Sequence, residues 1–543
     1  MSSTQMLPPD EPLLDVDEIQ GNVLPGFMKP HMILLGLAIG DADGARTFLR
    51  GLEVTTLADV MQTRVKVREA RTLRPTGARL GAVPEEVDDL WLNVALSHRG
   101  IEKLAVDRER LKNDLGRFED AAFRLGLATR SSSLGDPTDP SAEGHPRKWV
   151  VGGPGREVDI LLVVAADDPT RAEYFAKDLR RKAEELELDV LHVDQGGKFD
   201  KIGSEHFGFQ DGISQPGVRG RISEHAEDPP LTYRLVDRSL QPDTWLYGLP
   251  GQLLVWPGEF VFGYPGASAD PLVPGPVKQP GPAWSKNGSY LVYRRLRQDV
   301  AGFWGFLAAE AERLRAQEGF EDWTAERLAA ALVGRWKSGA PLVRAPDADD
   351  PTLGADRTAN NSFGYGKDAG TLTLITGETT NGRWPEAKAD PVGLQCPLAA
   401  HIRKVNSREA PNDFGASRAS LDRRLLRRGI PYGEPLADPA GPDPQNGDRG
   451  LLFVSYQTSI VDQFEFLNHR WMGSPVNPRS PSGHDMVVGQ NGQPGEGRER
   501  RCVVIGKGLQ EATITTSRDF VVPTGGGYFF SPSVSALRET LAG

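Results

Sequence analysis

Three short runs hold the residues best suited to chemistry. In HFGFQDGISQPG (His206–Gly217), Asp211 stands between Gln210 and Gly212, with Phe207 and Phe209 just upstream. Gly208 and Gly212 let the backbone turn tightly and approach a ligand. Apolar surroundings raise a carboxyl pKa from about 3.9 and suit it to acid–base work, although an ordinary Asp-Gly turn has the same sequence. In CPLAAHIRKVNSR (Cys396–Arg408), His401 follows small and apolar residues and precedes the cations Arg403, Lys404 and Arg408. An imidazole with small neighbours can approach a planar macrocycle, and nearby arginines can pair with carboxylates on its edge. A core histidine beside a surface basic turn is the alternative. In DRRLLRRGIPYG (Asp422–Gly433), Arg423, Arg424, Arg427 and Arg428 are expected on different faces of a helix that Gly429 ends before Pro431. Leu425 and Leu426 interrupt them, so packing such a helix turns at least one arginine inward as a fixed positive charge.

Other familiar chemistry is missing. The chain has no Gly-x4-Gly-Lys-Ser/Thr phosphate loop, no His-Glu-x-x-His helix and no Cys-x2-Cys pair. No Gly-x-Ser-x-Gly elbow stands between a strand and a helix. Cys396 and Cys502 each lack an evident partner base, which argues against a catalytic thiol. Of the nine histidines, only His401 has company that suggests a ligand.

The elements that must position these runs follow a recurring pattern of short apolar strand, polar turn and amphipathic helix. Strands are expected at His31–Ile39, Trp91–Leu96, Val158–Ala165, Ser289–Arg295 and Gly450–Gln457. Helices are expected at Gly44–Leu52, Gly100–Val106, Thr170–Leu188 and Gln298–Arg315, and Ile460, Phe464, Leu467 and Trp471 make a further helical stripe. Two separated groups of such units argue for two α+β domains of similar fold rather than one doubly wound sheet. Between them, roughly Gly217–Gly288 is rich in proline and glycine and poor in pattern. Irregular stretches of that length line a site or form a linker.

The 543 residues carry a formal charge of −11, which disfavours nucleic acid as a partner. Two cysteines cannot staple a chain this large. The 61 glycines and 42 prolines are close to a fifth of the chain, where about 12% is ordinary. No apolar run reaches the ~18–20 residues of a membrane span. The N-terminal MSSTQMLPPDEPLLDVDEIQ lacks the basic-then-apolar order of a secretory signal, so a soluble, cytoplasmic protein is expected.

Taken together the three runs resemble the dye-decolorising peroxidases, a haem peroxidase family. GFQDG resembles its Gly-x-x-Asp-Gly signature, HIRKVNSR its proximal histidine segment and LLRRGIPYG its distal arginine segment. EIQGNVLPGF (Glu18–Phe27) and PTGGGYFFSPSVSAL (Pro523–Leu537) are similar to the family's opening and ending, so the likeness spans the chain in order. Its length and insertions resemble the larger bacterial members. The resemblance implies an α+β fold of two ferredoxin-like modules with antiparallel sheets in the dimeric α+β barrel superfamily. The expected division is 1–216 for the N-terminal module, 217–288 for a loop-rich connection, and 289–543 for the haem-binding C-terminal module. It implies haem b, with His401 as proximal iron ligand, Asp211 as distal acid/base and Arg427 as distal cation. Gly212, Ile213 and Ser214 are then expected against the haem, and Asn406, Ser407 and Arg408 near its propionates. Asp462 or Glu465 is expected to accept a hydrogen bond from the other His401 nitrogen. The implied reaction uses hydrogen peroxide to oxidise dyes and phenolics through a ferryl intermediate, with an aromatic relay serving bulky donors. A haem carrier or sensor on the same fold, and an acidic two-domain binding module, are the competing readings.

Overall fold

The computed structural model describes residues 10–72, 89–199, 203–225, 228–234, 245–366, 387–415, 420–439, 441, 443, 447–492 and 497–543. Residues 1–9 of the stretch read for a signal lie outside them. Eight strands form the centre: β1 (His31–Ile39), β2 (Leu90–Leu96), β3 (Ile160–Ala166), β4 (Leu188–Gly197), β5 (Ser289–Gln298), β6 (Ile430–Tyr432), β7 (Gly450–Gln457) and β8 (Val521–Ser531). The main helices are α1 (Ala42–Arg50), α2 (Pro169–Glu185), α3 (Val300–Arg315) and the short α4 (His401–Val405). Asp41, Asp168 and Asp299 cap the first three by accepting a backbone N–H from the first turn.

The N-terminal strands lie in the order β4-β1-β3-β2 and the C-terminal ones in the order β8-β5-β7-β6, all antiparallel. Counted within each half, both are 4-1-3-2, the order of a ferredoxin-like βαββαβ unit. The halves join at both edges. Phe530 pairs with Leu96 between β8 and β2, and Tyr432 with Gly196 between β6 and β4, so the sheet closes into one barrel. Gly196 is needed at that second seam, because a Cβ there would stand 2.3 Å from Ile430 Cγ2.

Strand alternation explains the cores. Ile33, Leu35 and Leu162 face outward into one cluster with α1 and α2, which Val292 also joins, while Met32, Leu34, Val163, Leu291 and Val454 face the lumen. The Glu18–Phe27 motif packs into the lumen cluster through Ile19, Val23, Leu24 and Phe27. A third cluster joins α3 to residues 323–343, 359–365, 396–400 and the hairpin of Arg500–Ile505 with Glu511–Thr516. That layer faces the C-terminal half of the barrel, and the site lies between the two.

The expected Ser289–Arg295 strand continues to Gln298. The Ile460–Trp471 stripe is helical with the wider π-type turn, over Ile460–Glu465 and Leu467–Met472. The expected arginine-rich helix is absent. Residues Leu421–Arg423 make one 3-10 turn, then Leu426–Arg427 and Ile430–Tyr432 both pair with β7. Gly429 and Pro431 would stop a helix here, and the neighbouring β7 edge offers the backbone groups partners instead. No helix among the described residues is long and apolar enough to cross a membrane.

Candidate active site

The two layers enclose a cavity of about 650 Å³. One wall is the outer face of β5, β7 and β8, through Leu296, Gln298, Phe453 and Val521. The others come from the His206–Gly217 loop, α4, and residues 420–429.

His401 opens α4, and its Nδ1 stands 2.7 Å from Asp485 Oδ2. The other carboxylate oxygen, Oδ1, accepts the N–H groups of Val487 and Val488 at 2.9 and 3.0 Å. Burial pushes the Asp485 pKa up, but His401 and those N–H groups hold it below the ordinary carboxylate value. Burial likewise works against a charged His401, yet Asp485 leaves its pKa raised overall. With Nδ1–H committed to Asp485, Nε2 keeps its lone pair for a ligand. Neither expected partner is there. Glu465 pairs with Arg130 and accepts from the Tyr528 hydroxyl, and Asp462 pairs with Arg423. Asp485 lies in a GHDMVV loop that only the packing of the C-terminal layer brings to α4.

Two of the three cations after His401 also serve elsewhere. Arg403 is buried against Asp390, and Lys404 donates to the carbonyls of Ser474 and Gly483, so both anchor α4. Arg408 faces the cavity and stacks 3.7 Å above the Phe363 ring. Its Nη2 donates to Asn361 Oδ1 at 2.6 Å, and the same oxygen accepts from Ser214 Oγ and Arg335 Nη2. Arg335 is buried, and desolvation with Arg408 nearby lowers its pKa to about 9. Arg424, also lowered by burial to about 10, donates to Asn406 Oδ1 at 2.6 Å. Among the described residues none of these three arginines has a carboxylate within ion-pair distance. Sequence reading missed Arg335, Asn361 and Asp485, whose neighbours in the chain carry no signal of the site.

Asp211 lines the same cavity. Its Oδ1 accepts the Gly212 N–H at 2.6 Å and meets Arg427 Nη1 at 3.3 Å. The carboxylate is 40% exposed, so the apolar enclosure expected of it is replaced by a cation and an open cavity. Gln215 clamps Arg427 by donating to its carbonyl at 3.1 Å and accepting its N–H at 3.3 Å. Arg428, next in sequence, turns the other way and donates to the carbonyls of Asn22, Val23 and Pro25. Gly212, Ile213, Ser214, Asn406 and Arg408 line the cavity, and a Cβ on Gly212 would meet nothing within 4 Å. Ser407 does not line it; it is buried, and its hydroxyl has no hydrogen-bond partner among the described residues.

The family described as "DyP dimeric alpha+beta barrel domain" matches residues 18–193, and "Dyp-type peroxidase, C-terminal" matches residues 348–478. The dye-decolorizing peroxidase msp1 of Mycetinis scorodonius is 30% identical, over 97% of this chain and 88% of its own. The chain belongs to the dye-decolorising peroxidase family. Membership makes it a haem-dependent peroxidase, an oxidoreductase. The multifunctional dye peroxidase DyP2 of an Amycolatopsis species is 28% identical, over 96% of this chain and 95% of its own. The structure of an ancestral D-type dye-decolorising peroxidase superposes with a TM-score of 0.73 at 30% identity, covering 98% of this chain and 100% of that one. A dye-decolorising peroxidase in complex with 2,6-dimethoxyphenol gives 0.68 at 27% identity, covering 98% and 100%.

The residues present fit a haem. Among the described residues no cluster of three or more His, Cys, Asp or Glu could hold a bare ion. A single carboxylate-backed imidazole suits a metal carried by a macrocycle. The three arginines without carboxylate partners suit a ligand bearing acidic groups.

Proposed function

We propose that the cavity takes haem b, held by His401 Nε2, with Arg335, Arg408 and Arg424 facing its propionates. The observation that carries this is the meeting, at one cavity, of the His401–Asp485 pair and the Asp211–Arg427 pair. When bound, the haem supplies the iron that peroxide oxidises and the electrons that break the O–O bond. Asp485 orients the imidazole and strengthens its donation. Asp211 takes the proton from one peroxide oxygen and returns it to the other, so that water leaves. Arg427 stabilises the negative charge that develops there, a role worth roughly 2.7–4 kcal/mol in comparable sites. Gln215 keeps acid and cation in register.

The oxidised enzyme then takes one electron from each of two donor molecules. Dyes and phenolics are the proposed donors, supported by the name of the Mycetinis relative and by the 2,6-dimethoxyphenol complex. A haem carrier or sensor would need no acid–cation pair in its cavity. The test is a spectrum. Purified wild type should show a haem band that peroxide shifts and 2,6-dimethoxyphenol restores, and His401→Ala should lose it. A His401→Ala protein with the wild-type band would remove His401 as ligand.

The division into modules 1–216 and 289–543, with 217–288 between, is part of the same reading and is supported by the repeated strand order. The larger bacterial type is proposed on the Amycolatopsis relative. A cytoplasmic setting is supported by two cysteines that are both free and buried, and cell fractionation tests it.

A further inference from the structure

One acidic group on the cavity wall has no part in that mechanism. Glu205 opens the loop that carries Asp211, and it lines the same cavity. Its Oε2 accepts the Phe207 N–H and its Oε1 the Phe209 N–H, each at 2.9 Å, and Gln298 of β5 also donates to Oε2. The charged groups that share the cavity walls with it are Asp211 on its own loop, the Arg294–Asp136 pair, His401, Glu409 and the arginines Arg335, Arg408, Arg423, Arg424 and Arg427. None of the cations pairs with Glu205 among the described residues.

The peroxide step as derived needs no outside proton, since Asp211 returns what it takes. The whole reaction does need protons. Reducing H2O2 to two waters consumes two electrons and two protons. A phenol brings a proton with each electron, whereas a donor that gives up only an electron brings none. Those two protons must then reach the cavity from solvent, and a titratable group on its wall can pass them in. We propose that Glu205 is that group: a second proton-exchanging carboxyl that donates to the cavity and is reprotonated from solvent while the enzyme is being reduced.

Its surroundings suit both forms. Burial and the nearby Asp211 charge favour the acid, while Gln298 and the two N–H groups favour the carboxylate, and the balance puts its pKa at about 7. A group poised near the working pH gives and regains a proton with little penalty either way.

The inference rests on the peroxidase reading above, and the experiment separates the two. Turnover is measured in the holoenzyme with ferrocyanide, which gives an electron and no proton, and with 2,6-dimethoxyphenol, which gives both. In Glu205→Gln the ratio of phenol to ferrocyanide turnover should rise at least fivefold, and in Glu205→Asp it should stay within about twofold of wild type. Infrared titration of the resting holoenzyme should show a protonated-carboxyl band that disappears near pH 7 in wild type, is missing from Glu205→Gln and persists in Asp211→Asn. Equal losses with both donors, an unchanged ratio, or a band that follows Asp211 overturns the proposal. Wild type inactive with either donor would instead remove the peroxidase reading.

Discussion

Asp485 Oδ2 meets His401 Nδ1 at 2.7 Å, and backbone N–H groups hold the rest of that carboxylate in place. Asp485→Asn should therefore leave the ring in place but weaken its donation. Losing such a partner typically costs 10–100-fold in metal affinity or activity. Spectroelectrochemical titration should show a more positive reduction potential; an unchanged potential would show that Asp485 only fills space.

Arg427 is placed by Gln215 as much as by its own strand. Arg427→Leu should slow reaction with peroxide by about 10²–10³ in stopped flow. Gln215→Leu should give a smaller loss of the same step, with haem content unchanged. A Gln215→Leu enzyme as fast as wild type would show that pairing with β7 suffices to hold Arg427.

Asp211→Asn removes the base and keeps its shape. The peroxide reaction should slow by roughly 10²–10⁴. Formation of the oxidised enzyme at the wild-type rate would take Asp211 out of its role.

Arg335 and Arg408 share the Asn361 oxygen without a carboxylate at ion-pair distance among the described residues. Charge-assisted hydrogen bonds contribute about 1.5–3 kcal/mol each. Arg335→Met and Arg408→Met should each speed transfer of haem to a scavenging apoprotein by roughly 10–100-fold. Unchanged transfer rates would place the propionates elsewhere.

Burial lowers the pKa of His206 to about 4; its Nε2 hydrogen bond to the Tyr432 carbonyl, at 2.8 Å, works the other way. The unfolded chain takes up a proton below about 6.5 that the native state refuses, so stability falls as pH drops from about 6.5 towards 4. Wild type should lose about 2 kcal/mol between pH 7 and 5 from this group in denaturant titrations. His206→Gln should lose correspondingly less.

Strands β1 and β7 were legible to the residue, because a continuous apolar run bounded by turn residues is a local property. The same holds for the three functional runs, since a residue type and its spacing are written in the chain. The arginine-rich segment was misread as a helix because the competing partner, the edge of β7, lies some 25 residues further on. Arg403 and Lys404 looked like ligand-facing cations, and nothing within the run shows that Asp390 and residues 474–483 absorb them.

By itself, then, the sequence determined the kinds of element, the family and the residues able to act: His401, Asp211 and Arg427. Tertiary structure alone decided how they are used. Asp485 reaches His401 across 84 residues of chain, and Arg427 reaches Asp211 across 216. Closure of two 4-1-3-2 sheets into one barrel sets which loops face the cavity. The physical reason is range. Propensity and periodicity act over a few residues, whereas a partner's identity depends on which distant surfaces pack together and which polar groups burial then obliges to pair.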